Sequence, residues 1–182
     1  MSRGWIPPKV WVAVGFAAGA LIADRWTKSW IERSLSPGEV LPVFEGVAHL
    51  THVRNPGAAF GLFADADPTA RAVLFGGAAA LAISLVLFQL LSLGPGERRV
   101  AAALGLVAGG ALGNLADRLP GLGLGSGEVV DFLHVDLWPG YDWPDFNLAD
   151  VAIVLGVAGL LVDVLTRESA LRAQAIDEER RE

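Results

Sequence analysis

The feature that most limits how this chain can fold is residues 72–93, a run without a formal charge in which Gln89 is the only strongly polar side chain. Wound as a helix at about 1.5 Å per residue, it crosses a hydrocarbon core of roughly 30 Å. Three other predominantly apolar stretches, 10–30 with Asp24, Arg25 and Lys28 toward its end, 100–116, and 148–166 with Asp150 and Asp163, read as spans too, so the sequence predicts an all-α membrane body of four transmembrane helices. Composition agrees: 53% of the 182 residues are hydrophobic and only 19% charged, and the mean hydropathy is +0.46. Gly and Ala recur inside the apolar stretches, where they let helix backbones approach closely. The first stretch begins with basic residues and has small residues near Ala20, as a signal peptide would. Its helical character continues through Trp30 and Ile31, which predicts a retained span.

Between the first two spans the pattern changes. Residues 34–67 contain prolines, glycines and a β-favouring piece, 40–53, with no helical period, which predicts a small extracytoplasmic β-rich subdomain. Its end, 54–63, contains Asn55-Pro56-Gly57 and reads as turns around a short re-entrant or interfacial segment. Gly94-Pro95-Gly96 forces a tight turn, so the spans on either side are antiparallel neighbours. A Gly-rich stretch, 120–127, precedes a β-favouring run, 128–138, and then a loop to Asp145. The tail, 167–182, reads as a charged, solvated helix on a single integral membrane domain covering 1–182. Arg3, Lys9, Arg98, Arg99, Arg167, Arg172, Arg180 and Arg181 fall at one end of a four-span topology, which predicts that both termini are cytoplasmic. Arg25, Lys28, Arg33, Arg54 and Arg71, in or beside the first outer region, weigh against that orientation.

Several chemistries are excluded at this level. The net charge of −6, with Lys and Arg scattered, offers no cationic surface for nucleic acid. There is no cysteine, so neither a disulfide nor a thiolate can contribute. His49 and His52 would lie on opposite faces of a strand and could not join His134 around an ion, so no metal or other cofactor is expected. Ser126 sits in a flexible Gly-rich loop, unsuited to a nucleophile triad. The six tryptophans, Trp5, Trp11, Trp26, Trp30, Trp138 and Trp143, read as an interfacial belt.

The polar residues that abut the spans are concentrated in three runs: Gly113-Asn114-Leu115-Ala116-Asp117-Arg118, Val129-Val130-Asp131-Phe132 and Phe146-Asn147-Leu148-Ala149-Asp150. Ionisable groups at membrane depth are costly and mark a functional site by default. Helical spacing puts Asn114, Asp117 and Arg118 on one face at the outer end of the third span, with Asn147 and Asp150 three apart at the outer start of the fourth. Asp24 and Asn55 would reach the same layer. Singly, each has a bland reading: Asn147 and Asp150 as an N-cap and acidic third residue, Asp131 as a solvated loop residue, Arg118 as an ion-pair partner of Asp117, Asp24 as an interface marker. Jointly, they support paired carboxylates. Two acids converging in a low-dielectric site cannot easily both ionise, so one keeps a proton. The ionised member then takes a proton from an attacking water, while the protonated member donates to the carbonyl oxygen and a proton passes on to the leaving nitrogen. The helix dipole favours charge on Asp150, in the first turn of its helix.

The ordered set Asn55-x-Gly-Ala-Ala-Phe-Gly, Gly113-Asn-Leu-x-Asp-Arg118, Val129-Val-Asp-Phe132 and Phe146-Asn-x-Ala-Asp150, with Asp24-x-x-Thr27-Lys28 at the end of the first span, closely resembles the bacterial lipoprotein signal peptidases, or signal peptidase II family. The resemblance covers about 24–150, and the order of its motifs makes it specific. It implies an aspartic endopeptidase of the bacterial inner membrane that removes the signal peptide from a prolipoprotein just before a diacylglyceryl-modified cysteine. It also implies that Asp131 and Asp150 are the catalytic pair, that Asn55, Asn114, Arg118 and Asn147 are polar supports or substrate contacts, that Asp24 and Asp117 are further polar positions, and that 34–53 is a periplasmic β-cradle. The partners expected are prolipoprotein substrates and membrane lipids, with the enzyme a monomer. The Gly-rich insert before Val129 is longer than that pattern suggests.

Three other functions compete. A proton-coupled transporter would relay charge through Asp24, Asp131 and Asp150, but these acids gather at one face and the middle of the second span is apolar. A head-group transferase would need an ordered acidic metal signature that is missing. A structural scaffold leaves the repeated Asn and Asp placement unexplained.

Overall fold

The computed structural model describes residues 6–57, 62–63, 65–119, 127–138 and 140–181. In chain order the elements are α1 (Pro8–Ser34), β1 (Val40–Phe44), β2 (Ala48–Asn55), α2 (Pro68–Ser92), α3 (Arg98–Arg118), β3 (Val129–Trp138), β4 (Tyr141–Phe146) and α4 (Leu148–Glu179). The fold is that of a mostly helical membrane protein with one four-stranded antiparallel sheet. Three helices, α2, α3 and α4, are long and apolar enough to cross a membrane. α1 has the length but carries Asp24, Arg25, Lys28, Glu32 and Arg33 in its C-terminal half.

α3 is the axis of the bundle, and small residues let its neighbours approach. A Cβ on Gly109 would fall 2.4 Å from the carbonyl oxygen of Ala17 on α1, and one on Gly110 would fall 2.3 Å from that of Ala149 on α4. Adjacent residues on a helix point about 100° apart, so this glycine pair seats two helices on two flanks of α3. α2 packs chiefly on α3 through Val86, Leu90 and Leu93, which join Ala13, Val100, Ala101 and Leu104 in a buried cluster at one end. There Lys9, itself buried, donates from Nζ to the carbonyl oxygens of Leu91 and Leu93 at the C-terminus of α2. An ammonium is well placed there, because the last carbonyls of a helix lack intrahelical donors and the dipole is negative.

The sheet lies at the opposite end, in the order β1-β2-β3-β4. Ile31 and Leu35, at the end of α1, pack against Val130 and Phe132 of β3 and fasten the sheet to the bundle. The expected β-rich region 34–67 supplies β1 and β2, and the segment before α4 completes the sheet with β3 and β4. The expected loop to Asp145 is instead largely strand β4. Its aromatic residues favour extended backbone, and as an edge strand it tolerates Pro144. α4 is one continuous helix to Glu179, far beyond 166, sustained by the pairs Asp163–Arg167, Glu168–Arg172 and Asp177–Arg181 at i, i+4. Residues 58–61 of the expected re-entrant segment, nearly all of the Gly-rich insert including Ser126, and Trp5 lie outside the described residues. The other five tryptophans are exposed.

Candidate active site

The register between β2 and β3 starts the site. Val53 pairs with Asp131 and Asn55 with Val129, which brings the Asn55 side chain to Asp131, where its Nδ2 donates to Oδ2 at 2.9 Å. Asn55 is itself fixed by the Gly57 N–H, which donates to its Oδ1 at 2.9 Å. The other Asp131 oxygen, Oδ1, accepts from Asn147 Nδ2 at 2.7 Å. Asn147 is the N-cap of α4, and with Asp150 it forms a reciprocal capping box: the Asp150 N–H donates to Asn147 Oδ1, and the Asn147 N–H to Asp150 Oδ2, each at 3.1 Å. The bland capping reading therefore holds, and the same residues also build the site. The remaining Asp150 oxygen, Oδ1, accepts from Asn114 Nδ2 at 2.8 Å.

Every carboxylate oxygen of Asp131 and Asp150 thus has a donor from an amide group, and both residues line one cavity of about 590 Å³. Asn55, Asn114 and Arg118 line it too, and β4 supplies a wall from Trp143 to Phe146. Val151, Val154 and Leu155 carry it down α4, whose Val154 and Leu155 are exposed on the outside of the bundle. Burial pushes the Asp131 carboxyl up to about 6, against the pull of the Asn55 and Asn147 hydrogen bonds; the nearby Asp150 charge adds to the rise. Arg118 reaches from the other side: Nη2 donates to the Gly57 carbonyl oxygen at 2.7 Å, and the guanidinium lies 4.3 Å from the ring centroid of Phe75.

Asp24 and Asp117 lie behind the cavity and do not line it. Lys28, fully buried, makes ion pairs with Asp24 Oδ2 at 2.9 Å and Asp117 Oδ2 at 2.7 Å. Asp117 Oδ1 pairs with Arg25, and Asp24 Oδ1 accepts the Ala149 N–H at 3.0 Å. The expected Arg118–Asp117 pair is not what either residue makes. Adjacent helical residues diverge by about 100°, so Arg118 turns to the cavity with Asn114 while Asp117 turns to α1. The sequence reading names Lys28 only within the Asp24-x-x-Thr27-Lys28 run and Arg25 only among the cations beside the first outer region, and gives neither a place at the site, although the i, i+4 spacing of Asp24 and Lys28 on α1 is a readable signal. The β4 wall had no such signal.

On the sheet, His49 and His134 face each other across β2 and β3 with ring centroids 5.8 Å apart, both reaching Asp136. His52 points the other way and meets the Leu35 carbonyl oxygen, as strand alternation requires. Among the described residues no group of three or more His, Cys, Asp or Glu is arranged to hold a metal ion.

Comparison with known proteins gives this arrangement a context. The sequence profile of the family described as signal peptidase (SPase) II matches residues 16–166, which includes both aspartates. The lipoprotein signal peptidase of Syntrophus aciditrophicus is 40% identical over 81% of this chain and 88% of its own length. That of Geobacter sulfurreducens is 41% identical over 82% and 89%, and that of Gloeobacter violaceus 39% over 92% and 88%. Two solved bacterial membrane enzymes superpose with TM-scores of 0.76 and 0.73 at 27% and 26% identity, the first covering 88% of this chain and 92% of its own. With the family profile spanning most of the chain and relatives near 40% identity along most of their length, this multi-pass membrane protein belongs to the signal peptidase II family of aspartic peptidases.

Proposed function

We propose that the chain cleaves the signal peptide from prolipoproteins, at the bond before a diacylglyceryl-modified cysteine, with Asp131 and Asp150 as its catalytic pair. The observation that carries the reading is that the two carboxylates line one cavity with every oxygen held by an amide group. Such fixed donors preorganise acids for proton transfer. Asp131, pushed up to about 6, is the member that keeps a proton, and Asp150 at the positive end of α4 is the base. Asp150 takes a proton from water as the water oxygen bonds to the scissile carbonyl carbon, and Asp131 gives its proton to the carbonyl oxygen. When the intermediate collapses, the carbon–nitrogen bond breaks, Asp131 recovers its proton, and Asp150 passes its own to the leaving nitrogen.

Asn55, Asn114 and Asn147 hold the pair, and Arg118 contacts the substrate backbone. The apolar run of the cavity along Val151, Val154 and Leu155 suits lateral entry from lipid, where both the signal peptide and the acyl chains reside. The sheet and site face the periplasm, and the end with Lys9, Arg98, Arg99 and Arg167 faces the cytoplasm, following the positive-inside rule. One copy supplies all of these residues, so the working unit is a monomer. A gel-shift assay of purified protein in detergent with a diacylglyceryl-modified prolipoprotein tests the reading. Chelator-resistant cleavage before the lipidated cysteine is expected, and a well-folded protein that leaves this substrate intact, or cleaves only until chelator is added, overturns it.

A further inference from the structure

Lys28 is placed unlike any other cation among the described residues. It is wholly buried, and its ammonium faces three oxygens from two helices: Asp24 Oδ2, Asp117 Oδ2 and Asn114 Oδ1, the last at 3.0 Å. The first two contacts neutralise it together with Arg25, and need nothing from the site. The third is different, because Asn114 is also the residue that donates to Asp150.

A side-chain amide has an accepting end and a donating end, and its neighbours decide which way it points. On one side of Asn114 stand two donors, the Lys28 ammonium and Asn147 Nδ2, the latter 3.1 Å from Oδ1. On the other stands the Asp150 carboxylate. Reversing the amide would set its NH2 against an ammonium and its oxygen against a carboxylate. Both changes are unfavourable, and both arise inside a site where electrostatic contacts are strong. Remove the ammonium, and only Asn147 and Asp150 still hold that orientation, while Asp24 and Asp117 lose the cation they share with the Asn114 oxygen.

We propose that Lys28 is a positioning residue for the catalytic pair, its ammonium fixing the Asn114 amide so that it donates to Asp150. The proposal rests on the reading of Asp150 as a catalytic group and extends it by one residue that never touches substrate. Its reach continues to the second aspartate, because Asn147 bridges Asn114 Oδ1 and Asp131 Oδ1 through one Nδ2. The titratable and charged groups around the pair are Lys28 and Asp24 on α1, Arg118 and Asp117 on α3, the two aspartates on β3 and α4, and Asp145 on β4, which lines the same cavity and meets His134 of β3.

Lys28→Met alone strands two buried carboxylates, so the test uses charge-matched doubles that differ only in a donor. Both doubles keep the Asn147 N–H on Asn114 Oδ1 and share Asp24→Asn; Lys28→Met leaves position 28 without a donor toward that oxygen, and Lys28→Gln restores one. Cleavage of a diacylglyceryl-modified prolipoprotein is followed as kcat, KM and the pH profile of each. The Met double is expected to lose roughly a hundredfold in kcat, the scale of a misplaced catalytic group, with KM little changed. Its acid limb should move to higher pH, because a carbonyl turned to Asp150 disfavours the ionised base. The Gln double should recover most of both losses. Equal kcat and equal pH profiles for the two doubles, whether near wild type or equally reduced, overturn the proposal. If the Met double does not fold, the wild-type protein labelled with 15N-asparagine still decides. The Asn114 side-chain resonance must respond to Asp150→Asn more than to Asp24→Asn, and the reverse order overturns the proposal. Activity retained in Asp150→Asn would instead defeat the reading of the catalytic pair, so the two failures are distinguishable.

Discussion

α1 buries two lysines, one toward each end of the bundle, and they behave differently. Lys9 donates only to backbone, the terminal carbonyls of α2. Lys28 meets only side chains, two carboxylates and an amide that in turn holds Asp150. Both satisfy the rule that a buried ammonium must be paired. The difference lies in what stands beyond the first partner: a helix terminus in one case, a pair of acids open to a cavity in the other. A buried charge thus becomes informative about function through its second neighbour.

The sharpest separation of the two ends is at the acids themselves. Asp131→Asn and Asp150→Asn, read by gel shift, should each lower cleavage by roughly 10³-fold or more, the upper range for losing an acid or base, with thermal unfolding little changed. Next comes Lys28→Met, which leaves buried carboxylates uncompensated and should cost about 3–5 kcal/mol of stability as well as activity. Lys9→Met, by contrast, should cost about 1–3 kcal/mol and leave kcat/KM of the folded protein unchanged. Thermal unfolding in detergent beside initial rates checks both, and an Lys9→Met enzyme that folds normally yet loses kcat would break the comparison.

The same contrast governs what could be read from sequence. α2 and α3 were legible because uncharged runs admit few alternatives, and Asn147 with Asp150 because their spacing of three is a helix-start pattern. The sheet was only half legible. Residues 40–53 and 128–138 look β-favouring, but their pairing joins segments on either side of two helices, and nothing local encodes that register. β4 was hidden by Pro144, whose edge position becomes visible only once the sheet exists. The partners of Asp117 are not legible locally: Arg118, its neighbour in sequence, offers a bland local pair, whereas the cations it meets, Arg25 and Lys28, lie on another helix.

A smaller effect sharpens the account at Asn55. Its hydrogen bond lowers the Asp131 carboxyl against the burial that raises it, so Asn55→Leu should raise that carboxyl further. Asp131 would then hold its proton to higher pH, and the alkaline limb of kcat/KM should move up; a limb that moves down contradicts the assignment. Stability follows the same sign. An acid raised in the folded state contributes fully below its unfolded value, and the contribution is lost as pH climbs through about 6, so Asp131→Asn should flatten the fall in melting temperature across that range.

The measurement that bears most directly on the central claim is the pH dependence of kcat/KM for the unmodified protein with a diacylglyceryl-modified prolipoprotein, chelator present throughout. Two aspartates sharing a proton predict a bell whose alkaline limb starts near pH 6, where Asp131 loses its proton. A rate that stays level or climbs through pH 8 would mean that no protonated acid is required, and the pair would have to be given another role.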